Sequence, residues 1–419
     1  MPSMNERSAI DVVVVGGGLA GLAGALGLVR ARRSVVVVDA GQPRNAPAAH
    51  AHGYLTRDGM PPLELTSIGR AEVRAYGGVV IEGTVTSLDR LPGGGFRVVL
   101  SDGSGWDARR LLVTTGLVDE LPDIPGQRER WGRDVVHCPY CFGWELRDPP
   151  LGVLATSPHA AAQALMWRQW SPDVILVRHT ASGPTGEQMA QLSARGIRVV
   201  VGEVAAVEVS DGRLSGVRLR SGEVVPRRAL VVAPRFAARH ALLDPLDVAV
   251  TEHHLGIGCQ VEADTTGRTA APGVWAAGNV ADVNAGIMQA ASSGVVAAVA
   301  INADLTAEDT DRAVAAAQAE PTPARSCRSL RFGQAGTAPP HRADGQDKVG
   351  AAGPAAAAAV SQADATQPGI ATSDRCGGSR APAEWLTPVH NAAQTPCFLP
   401  PRPARSRKDR SATCSAGSR

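Results

Sequence analysis

Aromatic residues make up only 4% of this 419-residue chain, and lysine occurs at just two positions, Lys348 and Lys408. Arginine carries the rest of the positive charge, so 42 basic residues meet 40 acidic ones and the formal net charge is +2. So even a balance argues against nucleic acid or any other polyanion as a partner. Cysteine is scarce as well: of seven, only Cys138, Cys141 and Cys259 precede residue 306. Three thiols over that length do not make a secreted disulfide scaffold, so a close pair among them is expected to be catalytic or metal-binding. The opening Met1-Pro2-Ser3-Met4-Asn5-Glu6-Arg7 lacks the charged and apolar blocks of a secretion signal. The longest apolar segment, residues 285–305, is interrupted by Gln289, Ser292, Ser293 and Asn302 and reads as too polar to span a bilayer. These absences lead to the expectation of a cytoplasmic protein without membrane attachment.

What the chain does have is Ala, Val, Leu and Gly, with 44% hydrophobic residues, enough to bury large cores in two or three domains. Residues 10–15 are a nearly continuous β-branched run, the pattern of a buried parallel strand. Gly16-x-Gly18-x-x-Gly21 follows, then a small-residue helical run and a second buried strand at 34–38 ending in Asp39. That spacing lets the backbone turn tightly and bring a helix N-terminus up to a pyrophosphate, with Leu19 and Ala20 in its first turn. Asp39 is placed to accept hydrogen bonds from a ribose. The loop beyond it carries Arg44, and His50 and His52 further on read as solvated rather than ligand-facing.

A helix is expected over 61–76, short strands at 79–81, 84–88 and 96–100, and another buried strand at 111–116 ending in Thr114-Thr115-Gly116. Leu121-Pro122-Asp123-Ile124-Pro125-Gly126 reads as a linker. A second α/β alternation then runs from about residue 151 to 233, with a hairpin across Asp211-Gly212. Near the end of the patterned region, Ala277-Gly278-Asn279-Val280 leads into a helix over about 284–305, whose N-terminus favours a negative charge on a cofactor ring. The economical architecture is α/β: two Rossmann-like, three-layer dinucleotide-binding domains, one split by insertion of the other. The boundaries fall at 1–120, 121–240 and 241–305. From 306 to 419 the composition shifts to Ala, Pro, Ser, Gly and Arg without apolar periodicity. A disordered tail is expected there, either an interaction segment or the product of a shifted reading frame.

Between the two alternations lies His137-Cys138-Pro139-Tyr140-Cys141-Phe142-Gly143-Trp144-Glu145. If Pro139 opens a helix, its dipole and free N–H groups stabilise a thiolate at Cys138, the arrangement for two-electron exchange. Half of a zinc site is the alternative, but it needs two more soft ligands, and only Cys259, His253 and His254 offer themselves. No metal is expected.

With these pieces in order, the first 305 residues resemble the low-molecular-weight thioredoxin reductases. The resemblance rests on Gly16-x-Gly18-x-x-Gly21, Thr114-Thr115-Gly116, the Cys138/Cys141 pair and Ala277-Gly278-Asn279-Val280. It implies FAD, with pyrophosphate at Gly16, Gly18, Leu19 and Ala20, ribose at Asp39, adenine near Val85, and the flavin near Asn279, Gln289 and Ala290. Gly21, Arg44 and Gly116 complete the expected cofactor contacts. It also implies that Cys141 faces the flavin while Cys138 exchanges with the substrate, and that the protein is a homodimer.

Two departures stand out. The family's second glycine loop, for NADPH, is replaced by Ala155-Thr156-Ser157-Pro158-His159-Ala160, which puts NADPH binding in doubt. Phe142 stands where the reductases carry an acid, and Cys-Pro-Tyr-Cys-x-Gly-Trp-Glu is closer to a branch resembling the gliotoxin- and holomycin-type dithiol oxidases, which tends to have histidine there. His137 or Glu145 then becomes the candidate acid/base. The expected function is FAD-dependent thiol–disulfide exchange with a small dithiol or disulfide or a thioredoxin-like protein. Its alternatives are an NADPH-dependent reductase and a flavin redox sensor without turnover.

Overall fold

The computed structural model describes residues 10–319; of the tail expected at 306–419, residues 320–419 lie outside the described residues. Strand β1 (Ile10–Val15) leads through the glycine loop into α1 (Leu19–Arg30), and β2 (Val35–Asp39) returns parallel to β1. After α2 (Pro62–Ala75) come β3 (Val79–Glu82), β4 (Val85–Arg90), β5 (Phe96–Leu100) and β6 (Gly105–Val113). They form one sheet in the order β3-β2-β1-β6-β5-β4. β6 is longer than its apolar run. Its start, from Gly105 through Trp106 and Asp107 to Ala108, pairs antiparallel with β5, and the parallel pairing with β1 runs from Ala108 through Arg110 to Val113.

The chain crosses to the second unit through β7 (Leu117–Glu120) and β8 (Val135–Val136), then the single-turn helix α3 (Pro139–Phe142). There β9 (Leu151–Leu154), α4 (Ala160–Trp167), β10 (Val174–Arg178), α5 (Gly186–Ala194) and β11 (Arg198–Val201) alternate. The hairpin β12 (Val204–Ser210) and β13 (Arg213–Leu219) extends through β14 (Val224–Pro226) into a small separate sheet. β15 (Ala229–Val231) then completes a five-stranded parallel sheet in the order β11-β10-β9-β15-β8. This is the second dinucleotide-type sheet, with apolar clusters on both faces.

Return to the first unit runs through β16 (Arg235–Ala238), β17 (Val250–Glu252) and β18 (Gly258–Val261). β16 pairs antiparallel with β7, Ala238 opposite Leu117, so the outgoing and incoming chains are hydrogen-bonded to each other. The linker expected at 121–126 therefore leaves from a small four-stranded sheet rather than from open chain. β19 (Val274–Ala276) then joins the first sheet beside β6.

Helix α6 (Ile287–Ala319) continues well beyond the end expected at residue 305. Charge pairing holds the extension where apolar periodicity fails. Arg33 donates to Thr306 Oγ1 at 3.0 Å and to Asp309 at 2.6 Å, and Arg110 pairs with Glu308 at 2.7 Å. Glu308 sits below the usual carboxylate range despite burial, because Arg110, Arg109 and Arg312 surround it. Residues 306–319 thus belong to the fold. By length and composition α6 is also apolar enough to cross a membrane, since its polar interruptions are outnumbered by alanine and valine. In the fold Ala291, Gly294, Ala297, Ala298, Ile301 and Leu305 are buried. A Cβ on Gly294 would lie 2.8 Å from the Ala20 carbonyl carbon, so α6 and α1 cross in near backbone contact at the turn that opens α1.

Candidate active site

A single cleft of about 1050 Å³ is lined by both the glycine loop and the cysteine pair. Every residue expected to touch the cofactor, except Gly21, lines it, as do His137, Cys138 and Cys141. Glu145 does not.

The three glycines of the loop have separate tasks. Gly16 has φ +108°, and a Cβ there would press on the Thr114 backbone. At Gly21 a Cβ would lie 2.6 Å from Thr114 Oγ1, so this glycine sets how closely α1 lies on the strands. Gly18 is different: a Cβ there would meet nothing within 4 Å. It is the N-cap of α1 without any side-chain cap, and no acid stands in the first turn. The open space in front of it and the unpartnered N–H groups of that turn suit a pyrophosphate. Thr114 Oγ1 donates to the carbonyls of Gly16 and Val15 at 2.8 and 3.1 Å, tying the loop to the end of β6.

Asp39 accepts from Gly17 N–H at 3.0 Å through one oxygen and from Arg70 through the other. The loop and the ribose-side carboxylate are therefore one unit, anchored by an arginine from α2 that sequence reasoning missed. Gly278 donates its N–H to Ser293 Oγ at 2.9 Å, and the Asn279 amide donates to the carbonyls of Asp282 and Ala285 at 3.1 and 2.9 Å. Asn279 thus shapes its own loop while lining the cleft beside Gln289 and Ala290. These residues fit FAD: a glycine opening and helix N-terminus for the pyrophosphate, and a shaped loop before α6 for the ring.

Cys138 and Cys141 form a disulfide with Cα atoms 5.3 Å apart. Pro139 occupies the first position of α3 and Cys138 is its N-cap, as the sequence leads one to expect. Among the described residues no group of three or more His, Cys, Asp or Glu side chains is placed to hold a metal.

Proton-carrying groups differ from expectation. His137 packs edge-on to Phe236 at 5.2 Å between centroids, and its buried Nδ1 has no hydrogen-bond partner. Burial and the nearby Arg44 guanidinium push its pKa down, against the pull of Asp119 and the Val232 backbone, and so favour the neutral ring. Glu145 lies 3.3 Å from Nε2 of His52, whose Nδ1 is 3.3 Å from Asp58. Both His50 and His52 line the cleft, His50 exposed, as expected of a solvated side chain, and His52 half-buried. The His52–Glu145 approach spans the two dinucleotide-type units. Nothing local in the sequence links residues so far apart.

In the second unit, the turn 155–160 carries side chains where a dinucleotide loop has glycine. His159 caps α4 and its Nε2 lies 3.1 Å from the Leu255 carbonyl of the first unit.

Comparison with known sequences matches residues 10–298 to the pyridine nucleotide-disulphide oxidoreductases. The chain belongs to that family. It is an FAD-dependent oxidoreductase acting on sulfur groups, of the thioredoxin reductase type. The crystal structure of HlmI is 47% identical with a TM-score of 0.70, covering 75% of this chain and 98% of that one. The structure of an oxidoreductase from Agrobacterium tumefaciens is 34% identical with a TM-score of 0.67, covering 71% and 99%. Thioredoxin reductase tcpT of Claviceps purpurea is 29% identical over 319 residues, 73% of this chain and 97% of its own length.

Proposed function

We propose that this family member runs in the oxidative direction, closing a disulfide in a small dithiol. The observation that carries the reading is the turn 155–160. A glycine-free turn keeps a pyrophosphate from approaching α4 closely, and His159 there is engaged with the Leu255 carbonyl. The neighbouring strand β10 contributes Arg178 alone, with no arginine cluster following for a nucleotide phosphate.

In this reading a substrate thiolate attacks Cys138 and displaces Cys141 as a thiolate. The second substrate thiol then attacks the mixed disulfide, releasing Cys138 and the oxidised substrate. Two electrons and two protons have passed to the protein. FAD held by the glycine loop and the Asn279 loop would supply the two-electron acceptor for the Cys138/Cys141 dithiol, with dioxygen as terminal oxidant and peroxide as product. Protein groups supply the rest. Cys138 is the N-cap of α3, whose free N–H groups would favour its thiolate, and His52, which lines the cleft 3.3 Å from Glu145, would take protons. A small dithiol as substrate, a homodimer and a cytoplasmic site of action belong to the same reading. Exposed Val295, Val296 and Val299 on α6 support an apolar contact between copies.

A second reading, NADPH-dependent reduction of a thioredoxin-like protein, is favoured by relatives named thioredoxin reductase. Mixing the purified holoprotein anaerobically with NADPH or with a dithiol separates the two. We expect the dithiol to bleach the flavin and NADPH to leave it yellow, with peroxide formed on admitting air. Prompt bleaching by NADPH would overturn the oxidative reading.

A further inference from the structure

A second pocket, about 330 Å³, adjoins the cleft and shares Arg44, Trp131 and Arg239 with it. Four arginines line it, Arg44, Arg128, Arg133 and Arg239, against the carboxylates of Asp119 and Glu129. Arg44 is already neutralised by Asp119, through bonds of 2.7 and 3.0 Å. The side chains of Arg128, Arg133 and Arg239 make no hydrogen bond or ion pair among the described residues.

Two other arginines of this unit are paired. Arg130, in the same turn, donates to Asp134, and Arg227 donates to Asp173 at 2.9 Å. Three exposed arginines thus line one concavity with Glu129 as the sole remaining acid in its lining, which leaves a local excess of positive charge. Guanidinium forks bind carboxylates in bidentate fashion, and the indole of Trp131 offers an apolar wall for the chain that carries the acid.

The pocket is fixed relative to the redox pair. Trp131 bridges to Val135, the start of β8, and β8 runs directly into His137 and Cys138. Gly132, between the pocket arginines, is packed on the loop after Asp39: a Cβ there would lie 3.0 Å from Pro47 Cβ. A hollow of this volume takes a single acid group on a short chain, far less than a protein surface presents.

We propose that this pocket is an anion subsite for the substrate, and that the substrate is a small dithiol bearing a carboxylate on a short chain. The proposal rests on the thiol-oxidising reading of the cleft. Lipoate and lipoamide test it, because they carry the same disulfide ring and differ by one negative charge. Titration calorimetry of the oxidised holoprotein at low salt should give lipoate about tenfold the affinity of lipoamide, a ratio expected for an exposed charge-assisted pair. The ratio should shrink as salt rises and fall to about one in the Arg128→Gln/Arg133→Gln double variant. Equal affinities in the wild type, or a preference that persists in the double variant, overturn the subsite. Anaerobic flavin bleaching by dihydrolipoate is read alongside. A calorimetric preference without bleaching would refute the oxidative reading while retaining the anion pocket.

Discussion

Replacing Gly18 with alanine should separate cofactor binding from folding. The residue has φ −74° and ψ −177°, which alanine adopts without strain, and a Cβ there would meet nothing within 4 Å. Loss of backbone freedom in the unfolded chain favours alanine by about 0.4–1 kcal/mol, while alanine is a poorer N-cap than glycine by a similar amount. The two offset, so the apoprotein should keep its stability to within about 0.5 kcal/mol, or roughly 2 °C in Tm. With FAD present the methyl group occupies the space the pyrophosphate needs. Loss of one or two charge-assisted N–H contacts then costs about 2 kcal/mol, roughly thirtyfold in Kd. The contrast is Gly294→Ala, whose methyl would lie 2.8 Å from the Ala20 carbonyl carbon and should destabilise the apoprotein itself by about 1–3 kcal/mol through overpacking. Thermal melts of the apoproteins and fluorescence titration with FAD measure both quantities. If Gly18→Ala lowered the apoprotein Tm by several degrees and bound FAD normally, the assignment of this loop would be wrong.

Cys141→Ser should carry a mixed disulfide on Cys138 after exchange with a linear disulfide probe, the other half leaving as a thiolate, visible by mass spectrometry, whereas Cys138→Ser should carry none. Adduct on the reverse variant would exchange the roles of the two sulfurs. A chain ending at residue 305 loses the Glu308 and Asp309 contacts to Arg33, Arg109 and Arg110; it should melt about 3–8 °C below one ending at 319, at about 0.5–1 kcal/mol for each partly screened pair. Equal melting would show the extension to be idle. Burial and the charge of Arg44 depress the folded-state pKa of His137, so below about pH 6.5 the unfolded chain takes up a proton that the folded one refuses. Stability should therefore fall as pH drops through that value, and His137→Gln should flatten this part of the profile; an unchanged slope would refute the burial argument.

The pieces legible in the sequence are those whose cause is local. Residues 10–15, the glycine loop and Asp39 follow one another within a single β-α-β unit, and each is fixed by its own neighbours. Pro139 at the first position of α3 follows from proline's own backbone geometry. What escaped reading depends on partners far along the chain. Arg109 and Arg110 look like loop residues until α6 supplies Asp309, Glu308 and Asp304. β7 and β16 are four residues each and acquire their strand character from pairing across more than a hundred positions. His52 gained its place beside Glu145 in the same way, from the docking of two units rather than from any pattern around it.

The sheet that holds β1 is finished by a strand and a helix made only after the whole second unit. β19 and α6 come after the whole of the second unit's sheet, which is contiguous from β8 to β15 and complete in itself once that stretch has emerged. On this order the second unit is expected to close first, while β1, α1 and β6, made earlier, wait for the helix whose Gly294 packs on Ala20. During that interval the nascent chain shows its apolar flank and its unneutralised arginines, and a chaperone or the flavin nucleotide itself would find them open.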